Sequence, residues 1–289
     1  MAITTFIPKI WSARLLDALR KSQVAIGLCN RNYEGEITQM GDTVHINALN
    51  DITVKAYTKN QDIADPDELT TADTSLVIDQ GDYYNFYVND VDKVQARADL
   101  MDAAMTSAGY MLSDNADQYI FKIAATDEKA NKTGLGTEEE PLYITADNAY
   151  ETVVKMKVAL DNKNVPRNGR YLVVPPEYEG MMLLDQRFAS AEGAKAENRL
   201  ETGLVARAVG FDIYVSNNLY KEAESDNYHI IASFRDAITY ADQITQTEAY
   251  RREKGFDDGV KGLHVYGAKV TRPECVAVGT VTFKAKEGT

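Results

Sequence analysis

Cysteine, histidine and tryptophan are scarce in this 289-residue chain, at two, three and one. Cys29 and Cys275 lie at opposite ends, too few for a disulfide framework, and are read as reduced thiols. His45, His229 and His264 each sit in an alternating, strand-like run with no second His or Cys at ligand spacing. That argues against a zinc site and for structural histidines. No stretch approaches 18 consecutive apolar residues, so no membrane-spanning helix is expected. Residues 1–8 lack the basic start and apolar run of a secretory leader, and a cytoplasmic protein is expected. Also missing are a Gly-x-Ser-x-Gly elbow and a Cys with a catalytic His nearby. Gly134-Leu135-Gly136 is no phosphate loop, because the spacing is wrong and no Lys-Ser/Thr follows. Acids are so abundant that any carboxylate pair is uninformative, and Glu138-Glu139-Glu140 reads as a solvated loop. The chain therefore offers no catalytic residue, no cofactor site and no metal site.

Positive charge is also in deficit: 31 Lys and Arg against 44 Asp and Glu, a net charge of −13. Phosphate contacts need clustered Lys and Arg, so the protein as a whole is not a nucleic-acid binder. Such a charge favours solubility, and any self-association must come from arranged patches. The cations that exist are grouped. Residues 1–33 carry Lys9, Arg14, Arg20, Lys21 and Arg31 against Asp17 alone. Residues 34–90 reverse the sign, with acids that include Asp62, Asp65, Asp67 and Glu68 facing only Lys55 and Lys59. The two segments are natural partners within one subunit or between neighbours, or else both are solvated faces. Arg251-Arg252 with Lys254 is a further basic cluster. It would meet an acidic ribbon, line a surface near nucleic acid, or stay solvated.

What is present is pattern. Val94, Ala98, Met101, Met105, Ala108, Leu112, Tyr119 and Ile123 recur at helical spacing and predict one helix over 91–124, roughly 50 Å long. Gln95, Asp99, Asp102, Ser113 and Asp117 are placed on its outer face. A second helix is expected to open at Thr145 or Asp147 and run through 162, with Ala149, Val153, Met156 and Leu160 inward. Two alternating runs, 43–48 with 52–57 and then 75–88, read as a long ribbon with a polar tip at 58–73. An isolated ribbon is marginal in water and needs a covering surface, in its own subunit or another. Residues 10–24 carry a helical stripe beside Trp11, and 187–199 read as a surface loop. Strands are expected at 170–174, 211–215, 228–232, 237–241, 245–250, 263–271 and 276–283, with a short helix over 177–184. The class is α+β. Seventeen tyrosines suggest many half-buried rings with wet hydroxyls.

In this order, a basic arm, an acidic ribbon, a very long helix, a mixed domain and a closing sheet resemble the major capsid proteins of tailed bacteriophages, the Hong Kong 97 fold. Local segments carry the likeness: Phe6-Ile7-Pro8-Lys9-Ile10-Trp11-Ser12, Gly41-Asp42-Thr43-Val44-His45-Ile46 and Tyr171-Leu172-Val173-Val174-Pro175-Pro176-Glu177. Gly210-Phe211-Asp212-Ile213-Tyr214-Val215-Ser216-Asn217-Asn218 and Lys261-Gly262-Leu263-His264-Val265-Tyr266-Gly267-Ala268-Lys269 extend it, with Arg272-Pro273-Glu274 after. The resemblance implies an N-arm at 1–35, an E-loop ribbon at 36–88, a P-domain at 89–144 and 255–289 that holds the spine helix, and an A-domain at 145–254. It implies a homo-oligomer of hexamers and pentamers closing into an icosahedral shell around double-stranded DNA. Scaffolding, portal and decoration proteins would be separate partners, and neither cofactor nor membrane is implied. Subunit-interface candidates are Lys9, Trp11, Arg14, Lys55, Lys59, Asp62, Asp65, Asp67, Glu68, Asp99, Arg251 and Arg252. Some relatives join Lys to Asn between subunits, and no motif here places such an Asn. Two other readings stay open: an encapsulin-like compartment, told apart by protein cargo, and a cytoplasmic enzyme with a carboxylate-lined cleft.

Overall fold

The computed structural model describes residues 24–33, 40–49, 54, 56, 57, 59, 71–89, 99–185, 204–222, 225–251 and 257–283. Helices there are α1 (Ala25–Leu28), α2 (Asp99–Thr126), α3 (Ala149–Asp161) and α4 (Pro176–Leu184). The strands are β1 (Thr43–Leu49), β2 (Thr71–Val77), β3 (Gln80–Asn89), β4 (Leu142–Tyr143), β5 (Arg170–Val174) and β6 (Leu204–Ala208). They continue as β7 (Phe211–Val215), β8 (Tyr228–Phe234), β9 (Ile238–Arg251), β10 (Asp257–Val270) and β11 (Val276–Thr282). β1 and β2 form a two-stranded ribbon, and β3-β10-β9 a three-stranded antiparallel sheet. A six-stranded mixed sheet has the order β4-β11-β8-β5-β7-β6.

α2 has 28 residues, about 42 Å at 1.5 Å per residue. Its buried positions, Met105, Gly109, Leu112, Ser113, Ala116, Asp117, Ile120, Phe121, Ala124 and Ala125, recur every three or four residues. Met105 and Leu112 pack on Val260 between Tyr84 and Phe86, under the three-stranded sheet. Ala116, Ile120, Phe121 and Ala124 belong to a second cluster with Tyr171, Val173, Ile231, Ile238 and Tyr266, which reaches the six-stranded sheet. One helix thus braces both sheets. That double duty corrects the expected outer face. Ser113 and Asp117 are buried, not outward, because a helix wedged between two sheets buries a wider stripe than one lying on a single surface. The Ser113 hydroxyl is absorbed by the Gly109 carbonyl at 2.9 Å. The expected start of the helix, with Val94, Gln95 and Ala98, lies outside the described residues.

Two strand readings are corrected as well. The run 75–88 is divided between β2 in the ribbon and β3 in the three-stranded sheet. Gly41 N–H donates to the Ile78 carbonyl at 2.8 Å and Ile78 N–H to that of Asp42 at 3.0 Å, closing the ribbon before the chain changes sheet. Leu76 and Ile78 are buried on one side of the break, and Tyr84 and Phe86 face inward beyond it. All four are even-numbered, so the period-two pattern runs through the break unchanged. In the other case, 237–241 and 245–250 are one strand, β9. Its register shifts opposite Leu263/His264, and the bulge interrupts the alternation that would have joined them.

The ribbon's inner face, Val44, Ile46, Leu76 and Ile78, packs on Ala241 and Val265 of the same subunit. Lys269 Nζ fastens it by donating to the Ser75 carbonyl at 2.7 Å. On the six-stranded sheet, α3 buries Ala149, Val153, Met156 and Leu160, the four expected positions. Arg170 is buried at the start of β5. Its guanidinium reaches Asp161 at 2.8 Å and donates to the Pro166 carbonyl at 2.8 Å, tying the end of α3 to the sheet. Segment 127–141 is stitched along β11: Asn131 N–H donates to Val276 and Thr280 N–H to Leu135, both at 2.9 Å. Gly136 lies there at φ 85°, and a Cβ would collide with the Thr280 carbonyl.

Candidate assembly surfaces

The three-stranded sheet has one face on α2; on the other, the ribbon covers the end at Ala241 and Val265, and the part around Tyr250 is open. On the inner face Tyr84 lies across Gly262, where any Cβ would overlap its ring, and its hydroxyl is 3.3 Å from Thr247 Oγ1. The outer face repeats the device: Tyr250 crosses Gly259 and donates to Asn85 Oδ1 at 2.6 Å. Each glycine is the position where a neighbouring strand's aromatic ring replaces the missing side chain. Around Tyr250 the outer face carries Tyr83, 78% exposed, Tyr87, 56% exposed, and Leu263. Lys261 Nζ meets Glu248 there at 2.9 Å. Tyr83, Tyr84, Asn85, Glu248, Lys261, Gly262 and Leu263 line a depression of about 240 Å³. It is shallow, aromatic and rimmed by one ion pair, suited to being covered by another chain rather than to enclosing a substrate.

A second open surface runs along α2. Tyr110 and Met111 are more than half exposed, and Asn115, Gln118 and Lys122 continue the face toward the C-terminus. A third lies on the ribbon, where Val54 and Tyr57 are exposed and His45 faces outward beside the buried Val44 and Ile46.

Of the interface candidates, Lys59 is exposed beyond the ribbon and Arg251 is exposed at the end of β9. Asp99 is the first residue of α2. Lys9, Trp11, Arg14, Lys55, Asp62, Asp65, Asp67, Glu68 and Arg252 lie outside the described residues, as do the 10–24 stripe up to residue 23 and the 187–199 loop.

The titratable groups that the structure does assemble are internal. His229 Nε2 lies 2.6 Å from Glu138 Oε1, and its ring stacks on Tyr220. Burial outweighs that carboxylate and holds the imidazole below its ordinary value. Glu138 also accepts from Asn227 Nδ2 at 2.9 Å, which pins segment 127–141. His264 is buried, with Nε2 3.1 Å from Asp242 Oδ2 while Arg31 contacts Asp242 Oδ1 at 3.3 Å. These two histidines are structural, as expected. Cys29 and Cys275 are free thiols, and burial raises both above their ordinary value. Among the described residues, no group of three or more His, Cys, Asp or Glu could hold a metal ion. No helix there is long and apolar enough to cross a membrane. Sequence reasoning missed Asp117, the Arg170–Asp161 tie and Glu138–His229. Asp117 alone had a signal: it falls in phase with Ser113, Ile120 and Ala124.

A family described as phage capsid protein matches residues 73–279 of this chain. No curated protein matches it. Among solved structures, one from Mycobacterium phage Che8 is 29% identical, with 89% of this chain and 90% of that one covered and a TM-score of 0.69. The capsid of the cyanophage P-SCSP1u is 14% identical, with 91% and 89% covered and a TM-score of 0.68. That of Ralstonia phage GP4 is 11% identical, with 91% and 89% covered and a TM-score of 0.66.

Proposed function

This chain belongs to the phage capsid protein family and is a structural major capsid protein with the Hong Kong 97 fold, and we propose that its copies close into an icosahedral shell of hexamers and pentamers around double-stranded DNA. The observation that carries the reading is the family match over 73–279. The open faces on the sheet, α2 and the ribbon support it, because a single subunit leaves all three uncovered. A closed shell needs repeated heterologous contacts, and each copy must offer such faces. The net charge of −13 suits DNA that is confined rather than gripped, with basic patches such as Lys9, Arg14 and the Arg251-Arg252 pair facing inward. Assembly in the host cytoplasm, with separate scaffolding, portal and decoration proteins, completes the proposal.

The division into arm (1–35), ribbon (36–88, whose last strand, β3, joins the three-stranded sheet), P-domain (89–144 and 255–289) and A-domain (145–254) is part of it. β9 pairs with β10 and β11 with β8, so the two larger units lend each other a strand. Within a capsomer, the ribbon with its acids Asp62, Asp65, Asp67 and Glu68 and its cations Lys55 and Lys59 would lie over a neighbour near Asp99. The arm, with Trp11, would cross to another subunit. Deleting residues 59–72 tests the assignment: the subunit folds, because the ribbon's buried base is kept, and shells do not form. Normal shells from that deletion refute the ribbon's role. A shell filled with protein instead of DNA would favour the compartment reading. A solved virus-like particle from Pyrococcus furiosus has the same fold at 14% identity and a TM-score of 0.54.

A further inference from the structure

We propose that Asp117 is a proton-linked latch that fastens the root of the N-terminal segment to the middle of the long helix. α1 is a single turn, Ala25-Ile26-Gly27-Leu28, and its N-cap position is Val24, which has no side chain able to bond the free N–H groups of the first turn. The cap comes instead from 93 residues away. Val24 N–H donates to Asp117 Oδ2 at 3.1 Å, and the amides of Ala25 and Ile26 face the same carboxylate. Asp117 is 2% exposed, and its Oδ1 has no hydrogen-bond partner among the described residues. Ala25, Ile26 and Leu28 are buried around it against Ala116, Ile120 and Phe121. Asn30 then locks onto the edge of β9, donating to the Ile238 carbonyl at 2.8 Å and accepting from Tyr240 at 3.0 Å.

The charge balance gives the latch its sign. Burial raises the Asp117 carboxyl to about 7, above the 3.8 of a solvated aspartate, against the pull of the three α1 amides. Asp114 on α2 adds to the rise; it is itself held by Asn218 at 2.7 Å and Gln118 at 2.8 Å. From the end of α1, the half-buried Cys29 thiol feels the Asp117 charge and is neutral, while Arg31 is turned toward Asp242. Across the core, Tyr171 faces Cys29, and Arg235 in turn acts on Tyr171. When the root opens, Asp117 meets water and returns to an ordinary carboxyl. Closing therefore takes up a proton between these two values, so the closed root is favoured below about pH 7 and loosens as pH rises through it. From pH 6 to pH 8.5 the closing constant falls by about tenfold.

The test is hydrogen exchange of the full-length protein at pH 6 and pH 8.5, corrected for intrinsic rates, comparing residues 24–30 with α3 as internal control. It reads a local opening, so its outcome does not depend on whether shells form. The expected result is an approximately tenfold loss of protection at 24–30 that α3 does not share, and that Asp117→Asn, which keeps the acceptor but cannot ionise, abolishes. A loss shared equally by α3, no loss in the wild type, or an unchanged loss in Asp117→Asn overturns the proposal. If Asp117→Asn does not fold, the wild-type comparison between 24–30 and α3 decides alone.

Discussion

Strand β3 allows assembly and folding to be separated by substitutions one residue apart. Tyr83 and Tyr87 point away from α2 and are mostly exposed. Replacing both by Ser should change the stability of the unassembled subunit by no more than about 0.5 kcal/mol each, as for other surface positions. If a neighbouring copy covers the face, each ring loses roughly 100 Å² of apolar surface from water on assembly, worth about 2.5 kcal/mol at 25 cal/mol/Å². The pair then weakens each subunit contact by about 5 kcal/mol, more than a thousandfold in its equilibrium constant. Tyr84, between them in sequence, points inward over Gly262 to Thr247. Tyr84→Ala opens a space that the glycine cannot fill, and should cost the subunit about 2–4 kcal/mol. The assays are urea unfolding of dissociated subunits and sedimentation of the assembly reaction. Shells from Tyr83→Ser/Tyr87→Ser at wild-type yield, or a subunit destabilised as much as by Tyr84→Ala, would refute the assignment of the two faces.

Arg170→Met should destabilise the subunit by about 2–4 kcal/mol in denaturant melts, because it strands the Val165 and Pro166 carbonyls and the Asp161 carboxylate. Arg170 holds the Asp161 carboxyl below its ordinary 3.8, so the contribution of this pair is present above that pH and lost as pH falls below it. In Arg170→Met that acid-side loss should be reduced. Met105→Asp places a carboxylate where Leu112, Val260, Tyr84 and Phe86 meet, and should abolish soluble, cooperatively melting subunits rather than only slow assembly.

The sequence made the long helix, α3, β5 and the paired ribbon legible because each carries an uninterrupted period in one environment. It failed where one residue answers to two environments. Asp117 and Ser113 are polar letters in a buried stripe, and only the second sheet behind α2 explains them. The division between β2 and β3 was hidden because both strands bury even-numbered residues, and β9 was split because a bulge resets its phase. The open sheet face was unreadable for a related reason. Tyr83, Tyr84 and Tyr87 are the same residue type on opposite faces, and only the pairing with β10 says which are covered. The Glu138–His229 and Asp161–Arg170 pairs join residues with no local pattern, so spacing held no trace of them.

The most direct measurement is electron microscopy of the purified full-length protein, alone and with any scaffolding partner, across a range of salt and concentration. The account predicts closed, icosahedral shells built of hexamers and pentamers. A protein that stays monomeric under every one of those conditions would contradict it.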